Sequence, residues 1–282
     1  MDVRAVALAQ VVGLTGSEEG VSALGRCPAL LSTLAALVLD PAPVIATDAC
    51  LALINLSADA ATVPLLLEIP VIKNLYKVTE LILTCAMCTL QKRHQLFQLI
   101  KDKESAQADK AAQILSNLTR DLACCSAIYS QLMEADISVD TLVTILCQEN
   151  YNTQGQQMNF LGPVLSNLSQ LPEVRRHILD EQKCVIQRLV AFTEYGKSVV
   201  KRGGVVGTVR NCCFDTDHHD WLISDQVDIV PRLVLPLAGP ATHTITEEEM
   251  DSLPVDLQYL DEEKKIESDV DIRYRLVPGR TN

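Results

Sequence analysis

The sequence has few aromatic residues, which make up 4% of its 282 residues and include one tryptophan. Since β-sandwiches are enriched in aromatic and β-branched side chains, a chain dominated by Leu, Ala and Val favours stacked helices that pack through aliphatic contacts. The hydrophobic content of 48% is high enough for a sizeable core and excludes a largely disordered chain.

Positive charge is also scarce, with 24 Lys and Arg against 36 Asp and Glu, for a formal net charge of -12. Binding to phosphates requires a basic face. We therefore expect no nucleic-acid partner.

Long apolar runs and a secretory leader are missing as well. The longest apolar run, residues 78–90, is interrupted by Glu80 and is shorter than the roughly 20 residues of a membrane span. The first residues lack a basic segment followed by an apolar one. We expect a soluble protein without a membrane partner, located in the cytoplasm, with the nucleus as a second compartment. The ten cysteines lie in apolar periodic stretches and are interpreted as reduced core residues.

A short motif recurs along the chain, with the pattern Leu-x-Asn-Leu-Ser/Thr in its clearest form. Four copies align on Asn55, Asn117, Asn167 and Asn211, and a fainter copy ends at Thr15. In all four, the positions six before, two before and one after the Asn are apolar, which places them on one stripe of a helix. That stripe is the predicted buried seam.

The spacing of the copies indicates the fold. The Asn residues are 62, 50 and 44 residues apart, and armadillo and HEAT repeats run at about 40–47. A second apolar helix over 30–38, a break at Asp40-Pro41 and a helix starting near Val44 complete the first repeat. Helix pairs of this kind must stack to bury their faces. The sequence therefore predicts an all-α, armadillo/HEAT-like right-handed α-solenoid.

The repeated Asn has two interpretations. Asn55, Asn117, Asn167 and Asn211 are candidate partner-binding residues, whose amides would bind the backbone of an extended client segment. Alternatively, each Asn satisfies backbone groups of a neighbouring repeat. The second interpretation is favoured because three of the four copies keep a Ser or Thr beside the Asn, as helix termini do.

Three blocks near the end of the chain resemble a known family. They are residues 195–214 (YGKSVVKRGGVVGTVRNCCF), 218–222 (HHDWL) and 247–260 (EEEMDSLPVDLQYL). These blocks resemble the eukaryotic Hgh-type armadillo-like family, whose members act as adaptors that help the cytosolic chaperonin fold translation elongation factor 2. The resemblance implies these two proteins as partners, and it extends more loosely over residues 2–65 and 101–194.

Two stretches depart from the family pattern. Residues 71–100 do not match the expected repeat and coincide with the 62-residue interval, which indicates an insertion or an alternatively read exon. After Arg273 the family pattern implies further apolar helices, whereas this chain stops at Asn282, as a truncated isoform would. The predicted organisation is armadillo-like repeats over 1–240, atypical near 71–100, and an acidic, partly disordered tail over 241–282 in place of terminal repeats.

Three motifs suggest enzymatic alternatives. Cys85 and Cys88 form a CxxC pair, but no βαβ pattern surrounds it, so two small buried residues on an apolar helix are favoured over a redox pair. The four residues Cys212, Cys213, His218 and His219 lack the two-to-five-residue pair spacing of zinc sites. Lys201-Arg202 and the glycines at 203, 204 and 207 resemble a phosphate cradle without its spacing, so close helix packing is favoured.

The function predicted from these observations is a non-enzymatic protein-binding scaffold without cofactor or metal, namely the chaperone adaptor implied by the resemblance. Alternatives are a peptide-binding transport or assembly adaptor and, from another class, a thiol- or zinc-dependent protein. Residues 246–271 hold eleven carboxylates and are predicted to be exposed and partly disordered, or to form an acidic surface that attracts a basic client.

Overall fold

A computed structural model describes residues 2–69, 95–239, 246–261 and 263–277. Within these ranges the chain forms helices and connecting turns and no strand. The α-helices are α1 (Val3–Leu14), α2 (Glu18–Gly25), α3 (Pro28–Leu37), α4 (Pro43–Ser57), α5 (Val63–Leu67), α6 (Gln95–Lys101), α7 (Ala108–Leu118), α8 (Leu122–Glu134), α9 (Val139–Cys147), α10 (Leu161–Leu168), α11 (Pro172–Ile178), α12 (Val185–Val190), α13 (Val199–Cys212), α14 (His219–Ile223), α15 (Ile229–Val234), α16 (Glu247–Asp251), α17 (Val255–Gln258) and α18 (Val270–Leu276). Two short 3-10 helices span Thr216–His218 and Leu235–Leu237.

The chain folds as two compact units. Unit 1 comprises Met1–Ser138 with Gln148–Met158, and unit 2 comprises Val139–Cys147 with Asn159–Asn282. In unit 1, α4 packs between α1 and α7. In unit 2, α13 packs between α10 and α18. Each unit therefore contains a stack of three helices, and most of these helices carry the repeated motif.

The predicted seam is buried in all four copies. Each apolar position of the motif is at most 3% exposed, and the residues are Ala49, Leu53, Leu56, Ala111, Leu115, Leu118, Leu161, Leu165, Leu168, Val205, Val209 and Cys212. Burial of each Leu or Val in this set stabilises the folded state by roughly 1.5–3 kcal/mol. The seam therefore supplies much of the apolar burial in the core. The spacing of the apolar motif positions, four residues and then three, therefore identified the core face of these helices.

Local signals set the helix starts. Pro43 occupies the first turn of α4, and the carboxylate of Asp40 accepts a hydrogen bond from the backbone N–H of Ala42. In α13, the hydroxyl of Ser198 caps the helix by accepting from the N–H of Lys201. The predicted break at Asp40-Pro41 and the predicted helix start near Val44 are confirmed.

The segment after Thr246 also contains helices. The hydroxyl of Thr246 and the carboxylate of Glu249 form a capping box at the start of α16. Further on, Ile272 and Leu276 of α18 pack with Val206 of α13 in a small apolar cluster. The division of the chain at 240 and the partly disordered tail stay predictions.

Most of the atypical segment near 71–100, with Cys85 and Cys88, lies outside the described residues, and α6 is its described end. In the described part of the chain no single helix has the length and apolar character to cross a membrane. The helices α2 and α3 reach the length and apolar composition of a membrane span only when they are counted together, and they are bent by 95° at the break between them.

Candidate partner-binding face

The repeated Asn residues in unit 1 form hydrogen bonds to the preceding motif copy. Nδ2 of Asn117 donates to the backbone carbonyl of Ile54 and to Oγ of Ser57, both at 3.1 Å. Nδ2 of Asn55 donates to Oγ1 of Thr15 at 3.0 Å. Thr15 ends the faint first copy, so the structure places that copy in the same series.

Unit 2 repeats this arrangement. Nδ2 of Asn211 donates to the carbonyl of Ser166 at 3.1 Å and to Oγ of Ser169 at 2.9 Å. The hydroxyl of Ser169 in turn donates to the carbonyl of Ser166 at 2.8 Å. Asn167 holds the equivalent position on α10 and is likewise half-buried. Within each unit the motif thus joins successive copies: the carbonyl of the residue before the Asn and the Ser hydroxyl of the earlier copy accept from Asn117 in unit 1 and from Asn211 in unit 2.

This geometry limits what the four asparagines can offer a partner. Asn117 and Asn211 each use both amide hydrogens within the protein. Oδ1 of Asn117 accepts from Arg120 at 3.2 Å, which leaves part of its acceptor capacity for a partner N–H. That Asn55, Asn117, Asn167 and Asn211 bind a partner stays a prediction, and for Asn117 and Asn211 the carbonyl oxygen is the group available for it.

We expect Asn211→Ala to lower the free energy of unfolding of unit 2 by about 1–2 kcal/mol, because two inter-repeat hydrogen bonds are lost and their acceptors stay partly buried. Urea denaturation followed by the fluorescence of Trp221, which lies in unit 2, measures this loss. Gln170→Ala removes an exposed hydrogen bond to the carbonyl of Asn167 beside the same turn and should shift the midpoint far less. An Asn211→Ala variant as stable as the wild type would contradict a structural role for the amide.

On two of the motif helices, α4 and α13, apolar side chains are exposed on the same face as the Asn. On α4, Val44 and Leu51 are exposed and precede Asn55 by eleven and four residues, which places all three on one side of the helix. On α13, Val200 is exposed and precedes Asn211 by eleven residues. Sequence reasoning missed these residues, although the shared spacing of eleven was available as a signal.

The start of α13 carries two buried cations. The ammonium of Lys201 lies 4.9 Å from the ring centroid of Phe192 and 4.8 Å from that of Tyr195. The guanidinium of Arg202 forms an ion pair with Glu267. A Cβ on Gly204 would lie 2.1 Å from the backbone of Gly162. Close helix packing, predicted as the reason for the glycines, is thus confirmed at Gly204.

The described cysteines form no disulfide. Burial raises the pKa of the Cys50 and Cys213 thiols to about 11, and burial together with the nearby Cys124 and Asp121 does the same for Cys125. These thiols are therefore protonated at neutral pH and are not activated nucleophiles. The prediction that the cysteines lie in the core is wrong for Cys27 and Cys184, which are exposed.

The Cys and His cluster considered as a zinc site is arranged as follows. Cys212 is buried, and a ring nitrogen of His219 lies 2.9 Å from the backbone carbonyl of Cys213. In the described ranges no three His, Cys, Asp or Glu side chains are grouped so as to hold a metal ion.

The stacked helices, their buried seam and the repeated Asn bonds define an armadillo-type helical repeat protein. Solved structures confirm this fold. The designed armadillo repeat protein YIII(Dq)4CqI superposes with a TM-score of 0.59 at 15% identity, over 96% of this chain and 90% of that chain. Computationally designed armadillo repeat proteins for modular peptide recognition give a TM-score of 0.56 at 16% identity, over 90% and 88% of the two chains.

Sequence relatives identify the family. A family model described as a domain of unknown function (DUF383) matches residues 99–274. The protein named Protein HGH1 homolog in Danio rerio is 45% identical over 98% of this chain and 67% of its own length, and that in Mus musculus is 43% identical over 98% and 65%. The Drosophila melanogaster homologue is 32% identical over 98% and 71%. The chain belongs to the HGH1 family and spans about two thirds of the length of these relatives.

Proposed function

We propose that this protein is a non-catalytic adaptor that holds translation elongation factor 2 for folding by the cytosolic chaperonin, in the cytoplasm. Membership in the HGH1 family over 98% of the chain is the observation that carries the proposal. The armadillo-type fold supports it, since stacked helices offer extended faces for a protein partner.

The exposed face of α4 supports binding of an incompletely folded client. Val44 and Leu51 present apolar surface beside the polar Asn55 and Asp48. Segments that become buried only in the native state of a client expose apolar side chains before folding is complete. Such segments match a surface that combines aliphatic contacts with hydrogen-bonding groups.

The test is affinity purification of the tagged 282-residue chain from a eukaryotic lysate, with quantitative mass spectrometry of elongation factor 2 and of the chaperonin subunits. Each partner is scored separately, because the chain spans about two thirds of its relatives. We expect both to be enriched over an unrelated helical repeat protein. If neither is enriched, the adaptor proposal is wrong and the fold is unaffected.

We expect the double variant Val44→Ser, Leu51→Ser to recover at least about fivefold less elongation factor 2, a loss of ~1 kcal/mol in binding. The melting temperature of the double variant is measured alongside and should fall by no more than a few degrees, because Val44 is 62% exposed and Leu51 37%. Leu39→Ser with Leu122→Ser removes two exposed leucines elsewhere in unit 1 and serves as the matched control. Equal losses in the two double variants would show that general hydrophobicity, rather than the α4 face, captures the client.

A further inference from the structure

The short helix α17 exposes Val255, and Tyr259, which directly follows the helix, is exposed as well. Leu257 is buried, whereas Val255 and Tyr259 are 69% and 81% exposed. A side-chain contact of 3.7 Å between Asp256 and Arg232 ties the helix to α15. Nε2 of Gln258 donates to the carbonyl of Leu253 at 2.7 Å, which fixes the preceding turn. Val255 and Tyr259 are therefore exposed although the helix beside them contacts α15 and the preceding turn.

The sequence that flanks these two side chains is acidic. Residues 246–263 contain eight carboxylates and no Lys or Arg. Glu247, Glu248, Asp251 and Asp261 are among the exposed ones. A surface with charges of one sign attracts partners of the other sign and repels its own copy.

Another exposed tyrosine in unit 2 provides a contrast. Tyr274 on α18 is 67% exposed, yet its chain neighbours are Arg273 and Arg275. Exposed aromatic surface thus occurs in unit 2 with and without an acidic surround.

We propose that the α17 face, defined as Val255 and Tyr259 with the exposed carboxylates that flank them in the sequence, docks a basic segment of another protein. The segment carries Lys or Arg side chains around an apolar residue that packs on Tyr259 and Val255. Tyrosine is enriched among the residues that dominate binding energy, and a charged rim guides association. A second copy of this chain is disfavoured as the occupant by its net charge of -12. The inference rests on the proposed function only in taking the partner to be a protein.

The test is fluorescence anisotropy with the full chain and a short labelled peptide that has lysines and arginines around a central phenylalanine. A second peptide replaces every basic residue by glutamine. We expect the basic peptide to bind, with an affinity that falls as salt is added, and the glutamine peptide to bind much more weakly. Tyr259→Ala should weaken binding of the basic peptide about tenfold, and Glu247→Gln with Glu248→Gln should weaken it and reduce its salt dependence.

Tyr274→Ala is the matched control and should leave the affinity unchanged. The inference is overturned if the basic peptide does not bind, if Tyr259→Ala binds like the wild type, or if Tyr274→Ala loses as much affinity. Binding that responds to Glu247→Gln with Glu248→Gln but not to Tyr259→Ala would mean diffuse charge attraction and would overturn the docking face as well. Loss of chaperonin recovery with intact peptide binding would contradict the proposed function alone, and the reverse result would contradict this inference alone.

Discussion

Gly204→Ala is expected to destabilise unit 2 by about 3 kcal/mol or more, at the upper end of the cost of overpacking. The added Cβ would lie 2.1 Å from the carbonyl carbon of Gly162 and 2.3 Å from the nitrogen of Pro163. Both neighbours are backbone atoms of α10, so no side-chain rotation relieves the clash. The two helices must separate, and the seam between them loses packing.

The adjacent glycine is the control for this experiment. A Cβ on Gly203 would lie 3.4 Å from side-chain carbons of Ile272, an ordinary contact. Gly203→Ala should therefore be neutral or stabilise the helix by up to ~1 kcal/mol through its higher helix propensity. Urea denaturation followed by Trp221 fluorescence compares the two variants. If Gly204→Ala and Gly203→Ala give the same midpoint, the inferred close approach of α10 and α13 at Gly204 is wrong.

The core of the repeats was predictable because its signal is local. The three seam positions of each copy lie within eight residues, and helix geometry alone places them on one face. The faint copy ending at Thr15 shares the polar contact, since its hydroxyl accepts from Asn55, but not the buried seam, since Leu14 is 54% exposed. The glycines of α13 predicted close packing, but only the structure identifies Gly204 as the residue that meets another backbone.

The polar contacts were harder to predict because their partners are distant in sequence. Asn117 and its acceptor Ser57 are 60 residues apart, so the role of the Ser/Thr emerges only when successive copies are compared. The stretch 246–271 was expected to be exposed, and this is wrong for Glu267, whose side chain is 6% exposed. The sequence alone does not distinguish Glu267 from the neighbouring carboxylates, because its partner Arg202 lies 65 residues earlier in the chain.

That carboxylate ties residues next to α18 to α13. Both side chains of the Arg202–Glu267 pair are at least 91% buried, being 9% and 6% exposed. Nη2 of Arg202 donates to Oε1 of Glu267 at 2.9 Å, and Nη1 donates to the carbonyl of Tyr195 at 2.8 Å. The N–H of Asp269 donates to Oε1 of Glu267 at 2.9 Å. Burial by itself would raise the pKa of Glu267, but the hydrogen bonds from Arg202 and Asp269 outweigh it and lower the pKa below the usual value.

Glu267→Gln is expected to destabilise unit 2 by about 3 kcal/mol at pH 7, because it leaves the buried guanidinium of Arg202 without its counter-charge. Since the pKa of Glu267 is lower in the folded state, the pair stabilises the protein fully above the unfolded value of about 4.3, and this contribution is lost as the pH falls through the folded pKa. The gap in unfolding free energy between the wild type and Glu267→Gln should therefore be constant from about pH 7 to pH 5 and shrink at lower pH.

Glu194→Gln removes a matched ion pair, in which Oε1 of Glu194 lies 2.6 Å from Nζ of Lys264 with the carboxylate side chain 38% exposed. Its loss should cost less than ~1 kcal/mol, because solvent screens the pair. Denaturation curves of the three proteins across this pH range, followed by Trp221 fluorescence, separate the two cases. A gap for Glu267→Gln that persists at low pH, or equals that of Glu194→Gln, would mean that packing rather than the buried charge pair holds this segment on α13.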